Sequence, residues 1–133
     1  MTRERGDAGA AVVDFVLVAI LLISLFLLVF QVGVFFHVRN VVAASAAEGA
    51  RYGATANRTP EEGAARAQQA IADALGARVS AAIRCAPAGT DGLVDVDGAP
   101  AVDIRCSGPM PIVFGPSPKI VITVHGHALE ESR

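Results

Sequence analysis

Phe15 to Val38 reads FVLVAILLISLFLLVFQVGVFFHV, 24 residues without a charge, with only Ser24, Gln31 and His37 as polar side chains. As a helix this run is about 36 Å long at about 1.5 Å per residue. The hydrocarbon core of a bilayer is about 30 Å thick and takes roughly 20 apolar residues to cross. A helix that is apolar on every face has no place on the surface of a small soluble domain. The run is therefore predicted to span a lipid bilayer, and the rest of the chain is read outward from it.

The chain has 133 residues and a formal net charge of −2. With the apolar run and its flanks set aside, about 95 residues remain, enough for one small domain. The 11 Lys and Arg are scattered, which speaks against a basic face for nucleic acid. Phe15, Phe26, Phe30, Phe35 and Phe36 take five of the six Phe, and there is no Trp. The remaining domain must build its core from Val, Ile, Leu and Ala, or share one with neighbours. Cys85 and Cys106 both lie outside the run. In an exported domain they read as one disulfide closing about 20 residues, worth roughly 3 kcal/mol in the chain-entropy model. In a reducing compartment they read as two buried thiols.

Three kinds of membrane segment fit the run. A secretory signal would be cut before Ala47, after Ala44-Ser45-Ala46, but its apolar region should span only about 7 to 15 residues. A plain single-pass anchor leaves the preceding stretch unexplained. That stretch is a short polar start, MTRERGDAG, then Ala10-Ala11-Val12-Val13-Asp14-Phe15. Glycine, four small apolar residues, an acid and Phe resemble the leader of the type IV pilin group. The resemblance implies cleavage between Gly9 and Ala10 by a prepilin peptidase, with the apolar helix retained. Asp14 then becomes the fifth residue of the mature chain, where the group usually has Glu; Asp is one methylene shorter and keeps the charge. A carboxylate inside lipid is costly and tends to mark function, and near a helix N-terminus the dipole favours it. By the resemblance, Asp14 pairs with the α-amine of a neighbouring subunit. The lesser alternative, from position alone, is a helix start in the headgroup zone.

Beyond Val38 the chain is Ala-rich, with no Pro before Pro60, so the helix is predicted to continue to about residue 55. Glu48 can pair with Arg51 or reach Tyr52 along one helix face. The string Ala47-Glu48-Gly49-Ala50-Arg51-Tyr52, about 30 residues after the acid-Phe start, resembles the TadE-like family, small pilin-related proteins of the tight-adherence (Flp) pilus system. Leader, long helix and string together cover about the first 55 residues. The resemblance assigns no chemistry to Glu48, Gly49, Arg51 or Tyr52, which serve as a family marker.

Thr59-Pro60-Glu61-Glu62 has the form of a capped helix start, and Gly76 that of a helix end. Between them Ala64, Ala67, Ile71, Ala74 and Leu75 mark one face, and Glu62 can pair with Arg66. Alternation over 78–85, 101–107 and 119–128 predicts three strands, with Cys85 and Cys106 on inward faces. The pieces PAGTDG, DGAP and GPMPIVFGPSP separate them, the last as a long irregular loop around Phe114. The fold class is α+β and pilin-like in outline: a long N-terminal transmembrane helix, a second helix and a small antiparallel β-sheet. The expected organisation is a leader over 1–9, a transmembrane helix over 10–38, its continuation outside the membrane over 39–57, and a small extracytoplasmic domain over 58–133.

Catalytic chemistry finds no foothold. Asp95-Val96-Asp97-Gly98 fails as an EF-hand because Leu93 and Ile104 fall at the ends of the loop; a solvated turn fits better. His125 and His127 share a strand face but find no third zinc ligand in the sequence. Arg5-Gly6-Asp7 lies in the expected leader. No nucleophile–base arrangement or phosphate loop can be assembled, so neither an enzyme, a cofactor, a metal nor a small-molecule substrate is expected. Within the apolar run, Gln31 and Ser24 point to lateral helix association, with Gly33 allowing close approach, although one Gln is also tolerable in so apolar a helix.

The resemblance implies a minor pseudopilin in the bacterial inner membrane, N-terminus cytoplasmic. Its expected partners are the prepilin peptidase, other pilin-like subunits, inner-membrane pilus assembly proteins and the lipid bilayer. The charges at Arg3 and Arg5 are offset by Arg39 and Arg51, so the positive-inside rule is nearly silent, and orientation rests on the leader and the cysteines. The alternative is a single-pass anchored extracytoplasmic binding or adaptor domain with no pilus role.

Overall fold

The structure, a computed structural model, describes residues 4–89, 91–110, 112 and 120–130, with side chains from Gly9 onward. Arg3, most of the expected loop around Phe114, and the expected strand start at Lys119 lie outside the described residues. The chain divides into two compact units, Met1–Val34 and Phe35–Arg133.

Helix α1 (Glu4–Ala54) supplies the described part of the first unit and the first element of the second. In the first unit its large apolar residues are exposed on all sides, Phe15 at 73%, Leu21 at 67% and Phe26 at 68%. Its most apolar 18-residue window has a mean hydropathy of 3.1 and no buried share. By length and composition it is the one described helix able to cross a membrane. Ser24 turns its hydroxyl inward along the helix and donates to the Ile20 carbonyl at 2.7 Å, the local back-bonding open to Ser in apolar helices.

In the second unit the same helix changes character. Val38, Val42, Ser45, Ala46, Gly49, Ala50, Gly53 and Ala54 are buried along one stripe. After Thr55 the chain turns through left-handed Asn57 into α2 (Pro60–Leu75), whose capping box is complete: Thr59 Oγ1 accepts from Glu62 N–H, and Glu62 accepts from Thr59 N–H. The buried face of α2 is Gly63, Ala64, Ala67 and Ile71, whereas Ala74, expected inward, is exposed. A Cβ on Gly49 would lie 2.5 Å from Gly63 O and 2.7 Å from Ala67 Cβ. The two helices thus cross backbone against backbone, and absent side chains set that distance.

Residues 78–82, expected as the first part of a strand over 78–85, instead belong to helix α3 (Ala77–Ala82). Gly76, at φ 83°, breaks α2 and redirects the chain. Gln68 on α2 then holds the short helix. Its Nε2 stands 2.8–2.9 Å from Ser80 O, Ser80 Oγ and Ile83 O and shares its two hydrogens among them, and its Oε1 accepts from Cys85 N–H at 3.1 Å. The alternation read there rested on Ala at both parities, which marks no face. The strand proper is β1 (Arg84–Pro87).

Among the described residues the sheet has four strands rather than three. The addition is β2 (Leu93–Val96), a short partner of β3 (Ala99–Pro109). Asp97-Gly98, at φ 52° and 82°, closes a two-residue hairpin between them, the left-handed pair that Asp-Gly favours. Asp95 Oδ1 accepts from Gly98 N–H at 2.8 Å, so the acidic stretch is a turn. Strand β4 (Val121–Leu129) pairs with the other edge of β3, and all pairings are antiparallel. β3 is therefore central, with β1 and β2 in succession along one side. Its Val102, Ile104 and Cys106 join Ile71, Ile83, Ile122 and Val124 in the core. Helix α2 lies on β1 and β3. Gly126 of β4 meets the backbone of Ala46 and Ala47 so closely that no Cβ would fit. Cys85 and Cys106 are register partners on β1 and β3 and are joined in a disulfide.

Two outcomes test this packing. Gln68→Ala strands buried carbonyls and the Cys85 N–H, and should cost about 1–3 kcal/mol, read as a lower urea midpoint for the detergent-solubilised chain. Gly49→Val overpacks the crossing and should cost about 1–3 kcal/mol or more, a thermal midpoint lower by at least about 5 °C. Gly33→Ala, with nothing within 4 Å of the added atom, should leave that midpoint in place.

Candidate functional site

Two stretches of α1 hold the residues singled out in the sequence. In the first unit, Gly9, Ala10, Asp14 and Phe15 are all helical and exposed. Ala10 and Asp14 stand one turn apart, on one face. Gln31 is half-buried. The Ser24 hydroxyl donates to its own helix, at the Ile20 carbonyl.

In the second unit the string Glu48 to Tyr52 sends its side chains to different places. Glu48 does not pair with Arg51. Its Oε1 accepts from Arg66 Nη2 at 2.6 Å and from Arg66 Nε at 3.0 Å, across to α2. Both side chains are more than two-fifths exposed, so the pair is worth no more than about 1 kcal/mol and serves to orient the crossing. Arg66 is thereby unavailable to Glu62, which instead meets Arg58 at 3.4 Å. The Arg58 guanidinium lies 4.8 Å above the Tyr52 ring, within cation–π range. Tyr52, Glu62, Ala65, Arg66 and Gln69 line an open cleft of about 270 Å³. Arg51 points elsewhere, to a second open cleft of about 230 Å³ with Ala54, Thr55, Ala128 and Leu129. Gly49 occupies the crossing itself.

The sequence reading missed the part played by four residues. Gly53 and Gly63 complete the crossing with Gly49; the signal was present as glycine at i and i+4 on α1. Arg66 was assigned to the wrong acid because only neighbours along one helix can be read from spacing. Asp103 was expected outward, and it does lie on the sheet face turned away from α2, yet its side chain is only 7% exposed. His125 Nδ1 stands 3.1 Å from Asp103 Oδ2, and His127 Nδ1 3.4 Å from Oδ1. Among the described residues no group of three or more His, Cys, Asp or Glu is gathered as a ready metal-ligand set.

Comparison with known proteins bears on the first of these stretches and most of the second. The family model described as TadE-like protein matches residues 9–51. No curated protein and no solved structure matches the chain. The matched span runs from the Gly9 and acid-Phe start, through the exposed apolar helix, to the Glu48–Arg51 pair of positions at the crossing. Over residues 9–51 the chain is therefore similar to the TadE-like family.

Proposed function

We propose that the chain is a minor pseudopilin that takes part in assembling a tight-adherence (Flp) pilus or a related secretion machine. The observation that carries this reading is the TadE-like match over 9–51, lying on a helix whose large apolar side chains are exposed all round. A helix of that kind is covered by lipid or by similar helices. The leader 1–9 is removed by a prepilin peptidase between Gly9 and Ala10. Residues 10–38 stay in the bacterial inner membrane, 39–57 continue the helix outside it, and 58–133 form the extracytoplasmic domain. The new N-terminus faces the cytoplasm.

In this role the protein catalyses nothing. Its work is packing, with Asp14, Phe15 and Gln31 on the membrane helix meeting pilin-like subunits and inner-membrane assembly proteins. Asp14 serves as counter-charge to the α-amine of a neighbour, an ion pair that lipid strengthens because the alternative is an uncompensated charge in a low dielectric. Glu48, Gly49, Arg51 and Tyr52 shape the base of the extracytoplasmic domain.

Intact mass and terminal sequencing of protein extracted from its native membrane should give a mature start at Ala10. A start at Met1 or Thr2 with the peptidase present would favour the plain anchor, and a start at Ala47 a discarded signal. Asp14→Ala should leave membrane insertion unchanged and reduce assembled pili by an order of magnitude or more, counted by microscopy and by sheared-filament yield. Normal assembly with Asp14→Ala would rule out the charge pairing.

A further inference from the structure

Two contacts fix the direction of β4 against α1. Gly126 meets the backbone of Ala46 and Ala47, and Ala128 and Leu129 share a cleft with Arg51, Ala54 and Thr55. Strand and helix therefore run the same way. From Gly126 back to Val121 is about 17 Å at about 3.3 Å per residue. That distance takes α1 back about 11 residues at about 1.5 Å each, from Ala46 to Phe35. Phe35 to Val38 close the uncharged run, so β4 begins at the level where α1 leaves its apolar segment. Helix α2 runs toward the same end: its Gly63 meets Gly53 and Gly49, and its Ala67 meets Gly49. Beyond it, Ala82 and Ile83 crowd Gly108 of β3, the register partner of Ile122.

The surface at this end is apolar and basic. Ile120 is 45% exposed and Val121 is 62% exposed, adjacent side chains beside Pro109, the register partner of Val121. Arg39 follows the run on α1, Arg78 is exposed on α3, and Arg84 is exposed on β1 opposite Ser107. Among the described residues none of these three arginines is in an ion pair. Asp73, in the last turn of α2, is the acid placed with them. Other acids gather at the opposite end: Glu61 and Glu62 in the first turn of α2, Asp95 and Asp97 at the β2–β3 hairpin, and Glu130 after β4.

Exposed aliphatic side chains ringed by arginines match a bilayer surface that carries anionic headgroups. The guanidinium fork meets phosphate oxygens in pairs, and the arginine stem lies along apolar surface while its head stays at the polar boundary. We propose that this end of the domain rests on the bilayer that α1 crosses. Ile120 and Val121 enter the headgroup boundary, and Arg39, Arg78 and Arg84 meet the phosphates of anionic lipids. The proposal rests on reading α1 as a membrane span. The domain is then held twice, by its helix and by this contact, and its acidic end is turned away from the negative surface.

The test uses the full chain in vesicles of phosphatidylcholine and phosphatidylglycerol. The chain has no Trp, so Ile120→Trp supplies a single fluorescent reporter. Lipids brominated near the top of the acyl chain should quench it about twofold, since an interfacial side chain sits about 5–10 Å into that boundary. Leu129→Trp, at the far end of β4, should be unquenched. Arg78→Gln combined with Arg84→Gln, or omission of phosphatidylglycerol, should remove about half of the quenching at position 120. Equal quenching at 120 and 129, or quenching indifferent to both the arginines and phosphatidylglycerol, overturns the proposal. Blue-shifted but unquenched emission from Ile120→Trp means that protein covers the site, and also overturns it. Phe26→Trp, with lipids brominated deep in the chain, separates the two readings. If Phe26→Trp is quenched and Ile120→Trp is not, the contact alone fails; if Phe26→Trp is unquenched, the membrane span fails and the contact with it. Should Ile120→Trp misfold, Val121→Trp decides by the same criteria.

Discussion

Backbone-to-backbone contact along one seam of α1 sets where α2 and β4 stand in the second unit. At Gly49 and Gly53 the seam receives α2 through Gly63 and Ala67; at Ala46 it receives β4 through Gly126. These contacts depend on missing atoms, so a single methyl group is the natural unit of disturbance. The seam also explains how so small a core suffices. With two helices and a strand drawn this close, Ile71, Ile83, Val102, Ile104 and Cys106 become fully buried without any buried aromatic anchor among the described residues.

The same helix therefore serves two environments by a change of residue size. Through Phe36 its side chains are predominantly large and outward, suited to fluid neighbours that need no fixed register. From Val42 on, the buried positions are small: Ser45, Ala46, Gly49, Ala50, Gly53, Ala54. Small residues surrender hydrophobic area, about 25 cal/mol per Å², and gain closeness. That exchange is favourable only against a rigid, matching backbone, which α2 and β4 provide.

Much of this was legible in the sequence, for identifiable reasons. The helix end expected near residue 55, the Thr59–Glu62 capping box and the Gly76 stop are local signals, and the structure follows them nearly to the residue. The alternation through Val102, Ile104 and Cys106 survived because its polar partners are strictly opposite in parity. Segment 78–82 misled because Ala is indifferent to face, and because Gln68, 12 residues away from Ser80, ties it to α2 from outside the segment. β2 was overlooked because Asp97-Gly98 was taken as a separator rather than as the turn of a hairpin. Contacts between elements were illegible: Glu48 with Arg66 is 18 residues apart and Asp103 with His125 is 22. Neither follows from a helical or strand period; each requires the crossing angle or the β3–β4 register. The acid-Phe start and the Glu48–Tyr52 string were readable as a family likeness, while the packing role of Gly49 needed the partner helix.

The disulfide between Cys85 and Cys106 has a mechanical consequence. In the proposed role, with one end in a membrane and partners elsewhere, the domain would bear tension. The bridge ties β1, where the chain leaves the helices, directly to the central strand, and it encloses β2 and the hairpin within a covalent loop. A pulling force that peeled the sheet open would stop at the sulfur–sulfur bond. The 21 intervening steps of chain, about 70 Å if drawn straight, stay hidden from the load. The domain can yield at its edges, but its extension under force is capped at the strand that everything else is built around.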